Sequence, residues 1–219
     1  MRRIFALAAL LLVGACNSSG TSGYSQYYQV LRDSVAASFG DGRITKDQAA
    51  AIPYASMGYR LNGGNEQLVV LATDANGEQL WTSAAHVVIV TRGGRITRTV
   101  GLEHDVSGVV PKVGDKLPEI AAALNGDLRY IRLQNFPSLP AYDVALTCTL
   151  SHKGAQTITI LGRGVATARI DEVCRRANPQ WSFVNTYWID PETGLCWRSR
   201  QQIGPQGDVV DTEILRPPG

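Results

Sequence analysis

The sequence predicts a mainly β protein: antiparallel twisted sheets or a sandwich-like body, with one N-terminal helix and short helices beside it. Three observations carry that expectation. Apolar and polar residues alternate with period two over many short segments. Turn residues separate those segments at regular intervals, as in Asn62-Gly63-Gly64-Asn65, Asp74-Ala75-Asn76-Gly77 and Asp190-Pro191-Glu192-Thr193-Gly194. The composition, 44% hydrophobic and 18% charged over 219 residues, supplies a real core and excludes a disordered chain, a coiled coil or a collagen-like fibre.

The elements follow in order. Tyr24 to Phe39 reads as a helix, with Tyr27, Val30, Leu31, Val35 and Phe39 at steps of three and four and Gly40-Asp41-Gly42 ending it. Thr45 caps a short helix over Lys46–Ile52, closed by Pro53. Strands are expected at Ala55–Leu61, Gln67–Thr73, Gln79–Ser83, Val87–Thr91 and Ile96–Val100. The last two are joined through Arg92-Gly93-Gly94-Arg95, where consecutive glycines accept positive φ cheaply. Gly108–Gly126 is looser and holds one short helix at Pro118–Leu124. Strands resume at Leu128–Asn135, Tyr142–Ser151, Gln156–Gly162, Ala166–Arg175, Ser182–Ile189, Leu195–Gln202 and Thr212–Leu215. No fixed-period repeat and no internal linker divides the body, so residues 24–219 form a single domain with two sheets.

The first residues read as an address rather than as fold. Met1-Arg2-Arg3 is basic, Ile4 to Val13 is apolar and too short to span a bilayer, and small residues follow. Val13-Gly14-Ala15-Cys16 resembles the lipobox of bacterial lipoproteins, in which the cysteine is acylated and becomes the first mature residue. That makes residues 1–15 a signal peptide and residues 16–23 a flexible linker behind a lipidated Cys16. Asn17, which is not aspartate, points to the periplasmic face of the outer membrane. Removing residues 1–15 from 219 leaves 204, and loss of Arg2 and Arg3 takes Lys+Arg from 21 to 19 against 19 Asp+Glu. The mature body is formally neutral, which argues against nucleic acid as a partner.

Motifs for catalysis and cofactors are absent: no G-x-S-x-G elbow, P-loop, H-E-x-x-H or paired C-x-x-C occurs. His86, His104 and His152 lie far apart, so no metal or other cofactor is expected. Glu103-His104-Asp105 is the one local acid–base cluster, and Glu103 and Asp105 would share a side of an extended segment. Asp171-Glu172 and Asp190/Glu192 are weaker candidates. Two groups suit contact with a glycan or a partner protein. Arg92, Arg95 and Arg98 crowd one hairpin, where guanidinium groups could meet anionic oxygens. Strand alternation sets Arg98 beside Ile96 and Val100, so an inward Arg98 would need a buried acceptor. The aromatic region contributes Tyr187, Trp188 and Trp197, whose flat faces serve core packing or sugar stacking.

Several stretches resemble the YjbF/GfcB family of exopolysaccharide and group 4 capsule lipoproteins. They are Ile52-Pro53-Tyr54-Ala55-Ser56, Trp81-Thr82-Ser83 with Val90 through Leu102, Asn185 through Gly194 leading to Trp197-Arg198-Ser199-Arg200-Gln201, and Glu213 through Pro217. The resemblance implies a mainly β outer-membrane lipoprotein tied to polysaccharide production or export, without enzymatic activity and with no catalytic residues to carry over. Of the three thiols in the mature body, one disulfide and one leftover is the simplest outcome. Strand order favours Cys174 with Cys196, and the resemblance does not decide the pairing. The function expected is therefore a non-enzymatic outer-membrane lipoprotein that assists production, assembly or export of an extracellular or capsular polysaccharide. It would contact export or assembly proteins and, in the alternative, bind glycan itself through the arginine and aromatic residues named above.

Overall fold

A computed structural model describes residues 42–137, 141–177, 180–204 and 208–219. Cys16, the signal and linker segments and the expected Tyr24–Phe39 helix lie outside the described residues. The chain there is mainly β and antiparallel, as the sequence predicts. The architecture is one continuous twelve-stranded sheet rather than two facing sheets.

Helix α1 (Lys46–Ala50) opens the described region. The Thr45 hydroxyl accepts from the Gln48 backbone N–H, while the Gln48 side chain accepts from Thr45 N–H, a reciprocal cap on two orphan donors. Five strands then run as a meander: β1 (Ser56–Leu61), β2 (Gln67–Ala75), β3 (Glu78–Thr82), β4 (Val88–Arg92) and β5 (Arg95–Val100). The β4–β5 turn has Gly93 at φ +53° and Gly94 at φ +85°, as a two-residue hairpin requires. A second meander comprises β6 (Gly108–Pro111), β7 (Leu128–Phe136), β8 (Ala141–Ile160), β9 (Arg163–Arg176), β10 (Trp181–Ile189), β11 (Cys196–Gln202) and β12 (Val209–Arg216). A 3₁₀ helix, Ile120–Asn125, stands where a short helix is expected. Strand β6 was expected to be loop, because glycine, proline and only two valines give no alternation to read.

Pairing of β1 with β12 joins the meanders and leaves β5 and β6 at opposite ends of the order. The sheet twists until those ends approach, and Thr99 N–H donates to Val106 O at 2.8 Å across the seam. The result is a nearly closed barrel. Its interior is apolar at one end, with Met57, Val69, Trp81, Ile89, Phe136, Leu146 and Val210 among the buried side chains. The other end is plugged by Ile120 and Ala123 of the 3₁₀ helix against Leu150, Ile170 and Ile189. Trp81 is fully buried, and its Nε1–H donates to Thr91 Oγ1 at 3.0 Å, so its one polar atom is satisfied. Outward positions carry arginine, threonine and aspartate, the reverse of a membrane-spanning barrel with its apolar outer band.

The β8–β9 hairpin is longer than the sheet it belongs to. Leu161 and Gly162 make its turn, both at positive φ, and the register slips between His152 and Ala155 next to Gly154 at φ +101°. That slip is why Tyr142–Ser151 and Gln156–Gly162 read as separate strands in the sequence. Beyond it the hairpin forms an arm that lies over the outside of the sheet. Ile158, Ile160 and Val165 pack with Trp188 and Trp197. Arg198 donates to Thr159 O at 2.6 Å. At the tip, Leu161 joins Ile44, Ile52, Leu68 and Val70 beside α1.

Candidate functional site

Strand parity brings the chemistry inside. On β9, Ile170, Glu172 and Cys174 point inward in succession, so Glu172 lies between the two apolar ends of the barrel. Neighbouring strands supply its partners at the same level: Tyr130 and Arg132 from β7, Asn185 and Tyr187 from β10. Arg95 comes from the far side, at the start of β5. Glu172 Oε2 accepts from Arg132 at 3.1 Å, from Asn185 Nδ2 at 2.7 Å and lies 3.1 Å from the Tyr187 hydroxyl. Oε1 lies 3.4 Å from Arg95 and also accepts from the Tyr130 hydroxyl. Glu172, Arg95 and Arg132 are 0%, 1% and 2% exposed, so no water helps them.

Burial on its own pushes a carboxyl up; here the Arg132 and Arg95 charges overcome it and hold Glu172 down at about 2. Burial likewise works against the Arg95 cation, and Glu172 reverses it, so its pKa lies above the usual value. The Tyr130 and Tyr187 hydroxyls are pushed up by burial and then by the Glu172 charge, so both stay protonated donors. Arg95 also donates to Pro118 O at 3.0 Å, and Gln201 links Ile96 N–H to Gly94 O. These bonds brace β5 across the interior to β7, β9 and β11, where the seam itself offers little ladder.

The sequence-predicted contact residues do not gather on one face. Arg92 pairs with Glu78 at 3.4 Å, Arg95 is the buried member of the cluster, and Arg98 is exposed. The inward arginine with a carboxylate partner is thus Arg95 and not Arg98. The reason is a register shift opposite Val90/Thr91, where Thr97 is the extra residue and resets the alternation on β5. Tyr187 is fully buried. Trp188 faces outward beneath the hairpin arm, its Nε1–H donating to Gln156 Oε1 at 3.0 Å and Arg198 lying 5.9 Å from its ring; Trp197 packs under the same arm.

The disulfide joins Cys148 to Cys174, and Cys196 is a buried free thiol, so the expected Cys174–Cys196 pairing is corrected. Cys148 and Cys174 stand directly opposite on adjacent strands, with Cα atoms 4.1 Å apart. Cys196 instead faces Ile189, and the whole of β10 separates it from β9. Cys148, Glu172 and Cys174 converge closely enough to resemble a metal-ligand group, but the sulfurs are bonded to each other and the carboxylate is neutralised by two guanidinium groups.

Most of the acid–base candidates are spent on architecture. Asp105 accepts from Thr99 Oγ1 at 2.8 Å and from the Gly101 and Leu102 N–H groups, folding the loop at the seam. His104 Nδ1 lies 2.6 Å from Asp208 Oδ2, and Asp208 Oδ1 accepts from Asn62 Nδ2. Glu103 is exposed. Asp171 is held by both Nε and Nη2 of Arg169, at 2.9 and 3.0 Å. Asp190 accepts from Glu192 N–H at 2.8 Å inside the turn read from the sequence.

What the sequence reading missed is a groove of about 660 Å³ on the outside of β7–β10. Arg129, Thr147, Thr149 and Arg175 project into it from alternate outward positions, and Arg176 and Trp181 close one end. Thr147 is opposite Arg175, and Arg129 opposite Thr149, so cation and hydroxyl alternate across the ladders. Among the described residues none of the three arginines has a carboxylate partner. The nearest outward acid of β9, Asp171, already belongs to Arg169.

The sequence matches the family model described as "Group 4 capsule polysaccharide lipoprotein gfcB, YjbF" over residues 31–215. The chain belongs to the YjbF family. Among its relatives in Escherichia coli (strain K12), it is 29% identical to the uncharacterized lipoprotein GfcB, covering 98% of this chain and 97% of that one. It is 26% identical to the uncharacterized lipoprotein YjbF, over 99% and 98%. The fold is that of the crystal structure of the hypothetical lipoprotein YmcC from Escherichia coli (K12), with a TM-score of 0.69 and 28% identity over 85% of this chain and 96% of that one. The family resemblance expected from the sequence is therefore shown.

Proposed function

We propose that this member of the YjbF family is a non-enzymatic lipoprotein that assists production, assembly or export of an extracellular or capsular polysaccharide. It is anchored through acylated Cys16 at the periplasmic face of the outer membrane, where export or assembly proteins are its partners. The observation that carries the reading is the family match across nearly the whole body. Two features of the molecule support it. The interior is filled by apolar side chains and the Glu172 cluster, so recognition falls to the outer surface. Of the acidic residues that could drive hydrolysis, Glu172, Asp105 and Asp190 are held in ion pairs and turns.

The test is a clean deletion, with the amount, size and location of surface polysaccharide measured. Loss or mislocation of the polymer, restored by the intact gene and not by Cys16→Ala, is the expected result. An unchanged polymer overturns the reading.

A further inference from the structure

We propose that the groove on β7–β10 is a binding site for an acidic polysaccharide chain. Its anionic groups would be taken by Arg129, Arg175 and Arg176 and its hydroxyls by Thr147 and Thr149. This deepens the function proposed above and rests on it for the identity of the polymer as a surface glycan. The recognition chemistry rests on the groove itself.

Charge is the first argument. The mature body is formally neutral, so attraction to a polyanion has to be local. Several outward cations of the sheet are already committed: Arg60 and Arg200 to Asp211, Arg169 to Asp171, Arg198 to Glu213, Arg92 to Glu78. The three groove arginines have no such partner among the described residues. A guanidinium fork matches the two oxygens of a uronate carboxylate or an acidic substituent.

Spacing is the second argument. Arg129 and Arg175 lie on β7 and β9, two ladders apart, which is on the order of 10 Å. Thr147 and Thr149 lie on β8 between them. Cations separated by hydroxyls suit a polymer in which anionic groups recur along a hydroxyl-rich chain. The exposed part of the Trp181 ring at the groove's end offers a flat apolar face to a sugar ring. Its position is fixed from beneath by Phe183 and Phe136, with ring centroids 4.9 and 6.0 Å away. A lipid surface presents its headgroups in a plane, whereas these residues line a recess.

The test uses the full-length chain in detergent micelles, titrated with polygalacturonate, with dextran as the neutral polymer and with glycerol phosphate as a soluble lipid headgroup. Polygalacturonate is expected to bind saturably and more weakly as salt rises, dextran not to bind, and Arg129→Gln/Arg175→Gln to lose about tenfold or more in affinity. Arg163→Gln, at the far tip of the β8–β9 hairpin, should bind as the parent does. The exchanged side chains are exposed, so melting of the double variant should match the parent. If it does not, Thr147→Val/Thr149→Val replaces it, with loss of polygalacturonate affinity again expected. Equal affinity in the groove variants, equal binding of dextran, or binding of glycerol phosphate without polygalacturonate overturns the proposal. In cells, full complementation of the deletion by the double variant removes the groove and leaves the polysaccharide role standing. A deletion without effect on the polymer removes that role, while the titration still decides the groove.

Discussion

Replacing Glu172 by Gln tests whether the interior ion cluster holds the barrel together. The substitution keeps shape and removes one negative charge from between two guanidinium groups that are 1% and 2% exposed. It also turns an acceptor of five donors into a group with an NH₂ facing Arg95 and Arg132. Breaking a buried pair from one side costs about 3–5 kcal/mol, because the remaining charge has neither water nor partner. Proton linkage gives an independent figure. The carboxyl is held at about 2 against an ordinary 4.5, which at 1.36 kcal/mol per unit is about 3 kcal/mol. Since the folded value is the lower one, this stability is present above pH ~4.5 and drains away as pH falls toward ~2. Urea unfolding from pH 7 to pH 2 is the assay. Glu172→Gln should be weaker by about 3–5 kcal/mol at pH 7 and should lack the parent's loss between pH ~4.5 and ~2. Glu192→Gln, in an exposed turn, should stay within about 0.5 kcal/mol. A Glu172→Gln protein within about 1 kcal/mol of the parent, or one with the same acid dependence, would refute the reasoning.

Four further outcomes are expected. Non-reducing peptide mapping should recover Cys148 linked to Cys174, and Cys148→Ala/Cys174→Ala should cost about 3 kcal/mol for a bridge closing a separation of 26 residues. Cys196, buried and with its thiol pushed up to about 12 by that burial, should resist iodoacetamide in the native protein and react once urea unfolds it. Gly94→Ala would set a Cβ 2.3 Å from that of Cys196 at a φ of +85°; destabilisation of about 2 kcal/mol or more is expected, with Cys196→Ala giving no rescue because the clash is with Cβ itself. Leu161→Asp should detach the hairpin arm, seen as faster amide exchange over 155–168 and around α1, while the strands of the interior keep their protection.

The strand pattern was legible because one face of nearly every strand is buried, which is what period two records. Its closure was not. Whether alternating strands form two facing sheets or one sheet rolled on itself depends on twist and on which ends meet. The β1–β12 pairing spans almost the whole chain, and no local residue announces it. The ionic layer was missed for another reason. Adjacent charges in a strand give no sign of burial, so Asp171-Glu172 reads only as a weak acid–base candidate. The available signal was parity: Glu172 shares its face with Ile170 and Cys174, and Arg132 shares one with Tyr130 and Phe136. In the fold, the partner of Cys148 depends on a single register step. An unbroken ladder from the Leu161-Gly162 turn would set Cys148 opposite Arg175; the slip at 152–155 sets it opposite Cys174. Arg95 and Arg98 exchanged roles through the comparable irregularity at Thr97. The arginine error comes from a bulge, which is invisible to a rule that counts by twos, whereas the disulfide error comes from strand order, because β10 lies between β9 and β11.

The position of the ion cluster explains why this family fold can be nearly closed without being fully paired. A barrel with a weak seam opens at that seam first, because β6 is four residues long and β5 meets it through little ladder. Arg95 is the residue immediately after the β4–β5 turn, and its guanidinium reaches the interior to meet Pro118 O, Tyr130 and Glu172. Gln201 repeats the link from β11 to the same turn. Opening the seam would therefore pull Arg95 away from its countercharge and leave Glu172 with Arg132 alone, which costs more than separating apolar groups. The cluster thus fixes the curvature of the strands that carry Glu172 inward on β9. The outward residues on either side of it, Asp171 and Val173, and the outward Arg175 beyond, keep the spacing that curvature dictates. Interior charge and exterior groove are two faces of the same three strands. Loosening of the seam by Arg95→Met would accordingly be read at the groove, as weaker polygalacturonate binding by a protein whose groove residues are all intact.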